Sequence, residues 1–341
     1  MSKDKKKVTI REIAKEANVS VGTVSNVLNK KDIVSEKLKQ RINKTIMKYN
    51  YKIDFSASGL RGKTSKLFGV IVPDNANPIF SVISYHIECL AKENGYNIVI
   101  CNSNYNYKKE IEYIEILKSR NVDGIIIYPS IENKGSFNIL NKYKINSVLI
   151  ERKINCINTD VIMLDHYTAM AKVVNYLASL NHKKIAYIDR ESYFYRSRER
   201  YKGFIAGLER NNLKLIKELI INGEELSMKS GYRDAKTILE KGIKPTAIVV
   251  YNDVMAIGAI RAVKDMNLLI PQDISIIGYD NIIYNDFLET KLTSVTSEKK
   301  KVAYWSVKLL LDRIKNEDKE FKNIIILPKL RIRESSGIAK L

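Results

Sequence analysis

Several places in this 341-residue chain set polar side chains where an apolar run stops, in an order that suits ligand binding. Glu151-Arg152 follows Ile150, Asn252-Asp253 follows Tyr251, and Asp280-Asn281 follows Gly278-Tyr279. Arg200 lies three before Gly203-Phe204, and Asn77-Pro78-Ile79-Phe80 follows the first apolar run of the larger part. A guanidinium and a carboxylate match the paired hydroxyls of a sugar, and Tyr251 or Phe80 suits its apolar face. An Asp or Asn at one such junction is more often a helix cap, so only the whole set carries weight. Bond-breaking chemistry finds no template. His86, His166 and His182 lack metal spacing, and GxSxG, Walker and GxGxxG patterns are absent. Asp253 and Asp280 would make a carboxylate pair, but hydrogen bonding in a cleft accounts for them more simply, so no enzyme is expected. Cys89, Cys101 and Cys156 are far apart without a CxxC, so neither a disulfide framework nor a zinc site is expected, and no cofactor.

A second constellation sits near the N-terminus and suits a polyanion. Residues 1–66 hold 17 Lys and Arg against 6 Asp and Glu, while the other 275 hold 41 against 32. Thr9-Ile10-Arg11-Glu12 has the form of a capping box, opening a helix over about 10–17. Asn18 tolerates a left-handed turn, and Ser20 can cap a second helix over about 21–28. A third helix opens at Ser35, with Leu38, Ile42, Ile46 and Tyr49 at helical spacing. Short helices joined by a four-residue turn fit a helix-turn-helix unit. Val21, Gly22, Ser25 and Asn26 then lie on the outer face of the recognition helix, where Asn26 can pair with adenine and Val21 can touch a thymine methyl. Ser20, Thr23, Lys30, Lys31 and Lys37 read as phosphate contacts.

The elements that must position the first set begin at Leu67. Strands are expected at 68–72, 96–101, 124–128, 147–150, 184–188, 247–251 and 274–279. Helices are expected at about 79–94, 108–120, 167–180, 198–211, 229–240 and 254–265. This alternation is that of doubly wound parallel sheets, which bind ligands beyond the carboxyl ends of their strands. Two such halves, split near 160–165, imply two lobes with a cleft between them. Residues 50–66 read as a linker.

Thr9 to Asn29, TIREIAKEANVSVGTVSNVLN, resembles the head of the lactose-repressor/galactose-repressor (LacI/GalR) family of bacterial regulators. Where most members carry arginine this chain has Asn26, which implies a more A·T-rich site. The resemblance implies a hinge that folds on operator DNA, with Ala57 in the minor groove, Leu60 as an apolar wedge, and Arg61 and Lys63 on flanking phosphates. Ile53-Asp54 departs from the usual Pro-Asn, and Gly59 weakens a helix there. It also implies the periplasmic-binding-protein fold, crossed three times by the chain. Residues 1–52 form the helix-turn-helix domain and 53–66 the hinge. Lobe 1 spans about 67–161 plus 292–325, and lobe 2 about 162–291 plus 326–341. Arg200, Asn252, Asp280 and Glu151 align with effector-binding positions, and Ser297 stands where the family often has glutamine. The reading is a sequence-specific transcriptional repressor without catalytic activity. It is expected to be homodimeric and cytoplasmic, binding pseudo-palindromic DNA and released or engaged by a carbohydrate effector. The alternatives are a nucleobase effector, a partner protein, or a sugar-binding protein of the transport type. The last needs an export signal, and the basic N-terminus has no apolar stretch after it. No heptad tail precedes Leu341, so a dimer is expected over a tetramer.

Overall fold

Thr9 and Glu12 close the first helix on each other: Thr9 N donates to Glu12 Oε2 at 2.7 Å, and Glu12 N to Thr9 Oγ1 at 3.3 Å. This is one detail of a computed structural model that describes residues 8–28, 33–51, 64–130, 134–152, 159–190, 195–223 and 225–340. The expectations on Asn29, Lys30, Lys31, Ile53, Asp54, Ala57, Gly59, Leu60, Arg61, Lys63 and Cys156 lie outside the described residues. The chain divides into two units, Met1–Ser65 and Lys66–Leu341.

The first unit holds α1 (Ile10–Glu16), α2 (Val21–Leu28) and α3 (Glu36–Lys48). Asn18 takes a φ of 48°, the left-handed turn its short amide side chain tolerates. Arg41 of α3 donates to the Asn18 carbonyl at 3.3 Å, which ties the third helix to that turn. Ile13, Ala14, Ala17, Val24 and Ile42 are buried together, one patch from each helix. Burying each large aliphatic is worth roughly 1.5–3 kcal/mol, which short helices need because isolated ones are marginal.

The second unit carries two six-stranded sheets. In chain order its elements are β1 (Leu67–Val72), α4 (Pro78–Glu93), β2 (Asn97–Asn102), α5 (Tyr107–Ser119), β3 (Gly124–Ile127), α6 (Lys134–Lys142), β4 (Ser147–Ile150), β5 (Asp160–Leu164), α7 (His166–Ser179), β6 (Ile185–Arg190), α8 (Tyr195–Arg210), β7 (Ile220–Gly223), α9 (Met228–Leu239), β8 (Ala247–Val250), α10 (Asp253–Asp265), β9 (Ser275–Asp280), β10 (Thr293–Thr296), α11 (Lys299–Lys315), β11 (Asn323–Ile326) and β12 (Leu330–Arg331). The first sheet runs β11-β5-β4-β3-β1-β2 and the second β12-β10-β9-β8-β6-β7. All pairings are parallel except β10 with β12. β3, β8 and β9 are buried along their whole length, as parallel strands covered on both faces must be.

The lobe boundaries differ from those expected at 161/162 and 291/292. All of β5 pairs in the first sheet, with β4 and β11, and β10 pairs in the second, with β9 and β12. An apolar run shows that a strand forms, but hydrogen-bond register decides which sheet takes it. The chain therefore crosses after β5, after β10 and after β11. α11 and α6 were not among the expected helices. Arg313 of α11 donates from Nε and Nη2 to Asp160 Oδ2 at 3.1 and 3.0 Å, a buried pair that anchors this helix to β5.

Candidate effector site and DNA-binding head

Two strand ends present carboxylates between the lobes. Glu151, after β4, has a φ of 59°, and Asp280, closing β9, has a φ of 102°. Such backbone costs a non-glycine residue of order 1–3 kcal/mol and persists where surrounding contacts hold it. α8 provides Arg196 and Arg200, four apart and so on one face. That helix lies close against α7 because Gly203 has no side chain: a Cβ there would sit 2.2 Å from the Tyr167 carbonyl oxygen. The close approach brings His166, the first residue of α7, beside Arg200.

Arg200 is almost fully buried and well supplied with acceptors. Its Nη1 donates to the Tyr251 carbonyl at 2.5 Å, its Nε lies 3.5 Å from His166 Nδ1, and its Nη2 is 3.8 Å from Asp280 Oδ1. The guanidinium also lies 3.5 Å from the centre of the Tyr279 ring and 4.7 Å from that of Tyr251. Asp280 Oδ1 accepts from Ser297 Oγ at 2.9 Å, and Lys299 Nζ donates to the Asp280 and Asn281 carbonyls at 2.9 and 2.7 Å. Burial raises the Asp280 carboxyl above its usual range, against the pull of Arg200 and Arg196.

His166 links the lobes. Its Nε2 is 2.9 Å from Glu151 Oε1 and its Nδ1 is 2.7 Å from the Tyr279 hydroxyl. An arginine only donates, so the Nδ1 facing Arg200 Nε must be the accepting nitrogen, and Nε2 carries the proton toward Glu151. The imidazole is thereby assigned as neutral, and burial lowers its pKa accordingly. Burial works against an ionised Glu151, yet Arg196, His166 and Arg200 hold its carboxyl down to about 2. Arg196 Nε stands 3.1 Å from Glu151 Oε2, with its guanidinium 5.5 Å from the centre of the Phe80 ring.

Thus Glu151, Arg200, Asp280 and Ser297 come together, with Phe80 and Tyr251 as walls. Phe80 and Tyr251 are 1% and 3% exposed, with Arg196 and Arg200 near their rings, so neither presents an open face to a sugar ring. Asn252 spends its Oδ1 on the Met255 N–H at 2.9 Å, capping α10. Asp253 accepts from Ile282 N, Asn285 Nδ2 and Ser294 Oγ at 2.9, 2.8 and 2.7 Å, and so serves the fold. Sequence reasoning passed over His166, Arg196, Tyr279 and Lys299. The i, i+4 arginines of Tyr195-Arg196-Ser197-Arg198-Glu199-Arg200 were the available signal for Arg196; nothing local marked His166.

In the head, Gly22 is exposed and Ser25 and Asn26 are half-buried on α2. Ser20 Oγ accepts from Thr23 N at 3.1 Å and lies 2.9 Å from Thr23 Oγ1, so both hydroxyls also serve the start of α2. Thr9 is likewise engaged in its capping box, and Val21 packs partly on the head's core. Lys37 is exposed on α3. Groups of three or more metal-ligating side chains are absent among the described residues.

Residues 9–54 match the bacterial regulatory proteins of the lacI family, and residues 174–336 match the periplasmic binding protein-like domain. The HTH-type transcriptional repressor PurR of Histophilus somni is 33% identical over 328 residues, covering 96% of this chain and 98% of that protein. The chain belongs to the lacI family of bacterial regulatory proteins. This regulator is also 31% identical to the HTH-type transcriptional regulator DegA of Bacillus subtilis, over 97% of this chain and 98% of DegA. The crystal structure of the lac repressor dimer bound to operator and the anti-inducer ONPF is similar at a TM-score of 0.86, with 26% identity, covering 97% of this chain and all (100%) of that one. A lacI-family regulator from Enterococcus faecium with bound ribose follows at 0.74, with 28% identity over 80% of this chain and 100% of that one. The helix-turn-helix head and two-lobed core are those of a DNA-binding transcriptional regulator with an effector-binding domain. Among the described residues no helix is long and apolar enough to cross a membrane.

Proposed function

We propose that this regulator is a cytoplasmic homodimeric repressor without catalytic activity, whose hold on a pseudo-palindromic operator is set by a small hydroxylated effector, a sugar or sugar derivative, bound between its lobes. The observation that carries the reading is the cluster of Glu151, His166, Arg200, Asp280 and Ser297, drawn from both lobes. An effector that touches both lobes has different contacts in open and closed forms, and only such a difference can shift their populations. Effector and operator affinities are then coupled reciprocally. Exposed Tyr85, Val99 and Ile100 on the first lobe and Ile283, Tyr284 and Phe287 on the second offer apolar surface for dimerisation through the core.

The dimer sets two α2 helices in successive major grooves, about 34 Å apart, with Asn26 reading adenine. Ala57, Leu60 and Arg61 bend the site from the minor groove. Thr9, Ser20, Val21, Gly22, Thr23, Ser25, Asn29 and Lys30 complete the DNA surface. The test is operator selection from random duplexes, followed by fluorescence anisotropy with and without sugars and nucleobases. Sequence-specific binding changed by a sugar supports the reading. Failure to select any sequence, or turnover of a sugar without DNA binding, overturns it.

A further inference from the structure

Arg196 is the member of the cluster with donors to spare. A guanidinium carries five N–H donors. Among the described residues Arg196 faces one carboxylate oxygen, Glu151 Oε2 at 3.1 Å from Nε, and the side chain is 14% exposed. Arg200 differs, being 2% exposed and directed at Tyr251, His166 and Asp280. The Arg196 guanidinium also lies 5.5 Å from the centre of the buried Phe80 ring.

Three cations stand around the cleft, and among the described residues Arg196 is the one with uncommitted donors. Arg196, Arg200 and Lys299 are cationic, and Lys299 donates to the Asp280 and Asn281 carbonyls, with the Asp280 and Asp253 carboxylates nearby. Glu151 and Asp280 are the carboxylates that face the two arginines directly, and His166 is neutral. Asp253 and Asp189 are further carboxylates near the cleft whose oxygens are engaged by the fold, Asp253 by Ser294 Oγ and Asp189 by Ser197 Oγ and Arg190 N. A neutral hydroxyl can take single hydrogen bonds from the spare donors of Arg196 but not a charge-assisted pair. An anionic group can engage its planar fork through two parallel hydrogen bonds.

We infer that the effector is an anionic polyol, a sugar acid or sugar phosphate, whose charged group is taken by Arg196 while Glu151, Asp280 and Ser297 take hydroxyls. This rests on reading the cleft as an effector site, as above. Arg196 then distinguishes charged from neutral forms of one sugar.

The experiment uses the full chain at physiological salt, with thermal shift and calorimetry on matched sets. These are ribose with ribose 5-phosphate, glucose with glucose 6-phosphate and glucuronate, hypoxanthine, and inorganic phosphate alone. The expected result is that an anionic member raises the melting temperature with concentration and binds at least tenfold tighter than its neutral counterpart. The phosphate and carboxylate arms separate the two sources of charge. Arg196→Met should abolish the preference and Arg196→Lys retain most of it. Arg196→Gln serves as the second uncharged variant should the first fail to fold, with circular dichroism reporting the fold. A neutral sugar or hypoxanthine binding as tightly as an anionic member overturns the inference, and leaves the effector site standing. So does a preference that survives in both uncharged variants, or a shift wholly reproduced by inorganic phosphate. If no member of any set shifts the melting temperature, the effector-site reading itself fails along with the inference.

Discussion

Asp253 and Asp280 stand near the ends of neighbouring strands of one sheet, both buried, and they do different work. Asp253 accepts three hydrogen bonds from Ile282, Asn285 and Ser294, and Gly278 gives it room: a Cβ there would lie 2.1 Å from Asp253 Oδ1. Among the described residues Asp280 accepts from Ser297 Oγ, and it faces Arg200 at 3.8 Å. Position at a strand end therefore does not separate a structural carboxylate from a ligand-binding one. Saturation of its oxygens does, because a group whose lone pairs are filled by the fold has none to offer.

Substituting each carboxylate in turn separates the two roles. Asp253→Ala should destabilise the core by about 3–5 kcal/mol in urea unfolding, since three buried donors lose their acceptor. Asp280→Asn should cost the fold about 1 kcal/mol and act instead on effector binding. Equal stability losses in the two would erase the distinction. Arg200→Ala comes next: losing charge-assisted hydrogen bonds worth about 1.5–3 kcal/mol should weaken effector binding roughly 10- to 150-fold by calorimetry.

The pH dependence should run in opposite directions for Asp253 and Glu151. Burial first, then Asp280, raises Asp253 from 3.8 to about 7. Its contribution is therefore present below about 4 and is lost as pH rises through 7. Glu151 is held at about 2 against an ordinary 4.5, so its contribution is present above 4.5 and is lost as pH falls toward 2. Asp253→Asn should flatten the fall in stability between pH 4 and 7, and Glu151→Gln the acid limb between 4.5 and 2, both read from urea midpoints. The smallest effect tests the same rule in the head. Thr9→Ala removes the capping box and should lower the head's stability by about 1 kcal/mol in thermal unfolding, whereas Asn26→Ala should change operator preference with little change in stability.

The head was legible almost residue by residue: the expected helices at about 10–17 and 21–28 are α1 and α2, and Asn18 makes the turn. Its signals act within a few residues, as hydroxyl caps, left-handed turns and apolar positions three or four apart. The alternation of strands and helices in the core was equally readable, because buried parallel strands are continuous apolar runs. β5, β7, β10, β11 and β12 were not among the expected strands: β7 and β11 mix exposed with part-buried positions, β12 has two residues, and β5 and β10 lie where the chain passes between lobes.

At the site, residue type and placement marked Arg200, Glu151 and Asp280 as polar groups at strand ends or on a helix start. Only the tertiary structure decided that Asp253 belongs to the fold, that β10 joins the second sheet, and that His166 and Arg196 connect Glu151 to the opposite lobe. The reason is range. A cap or a turn is settled by atoms within four residues, but His166 meets Tyr279 across 113 residues and Ser294 meets Asp253 across 41. Those meetings depend on how helices seat on sheets, through contacts such as Gly203 against Tyr167, which no local pattern encodes.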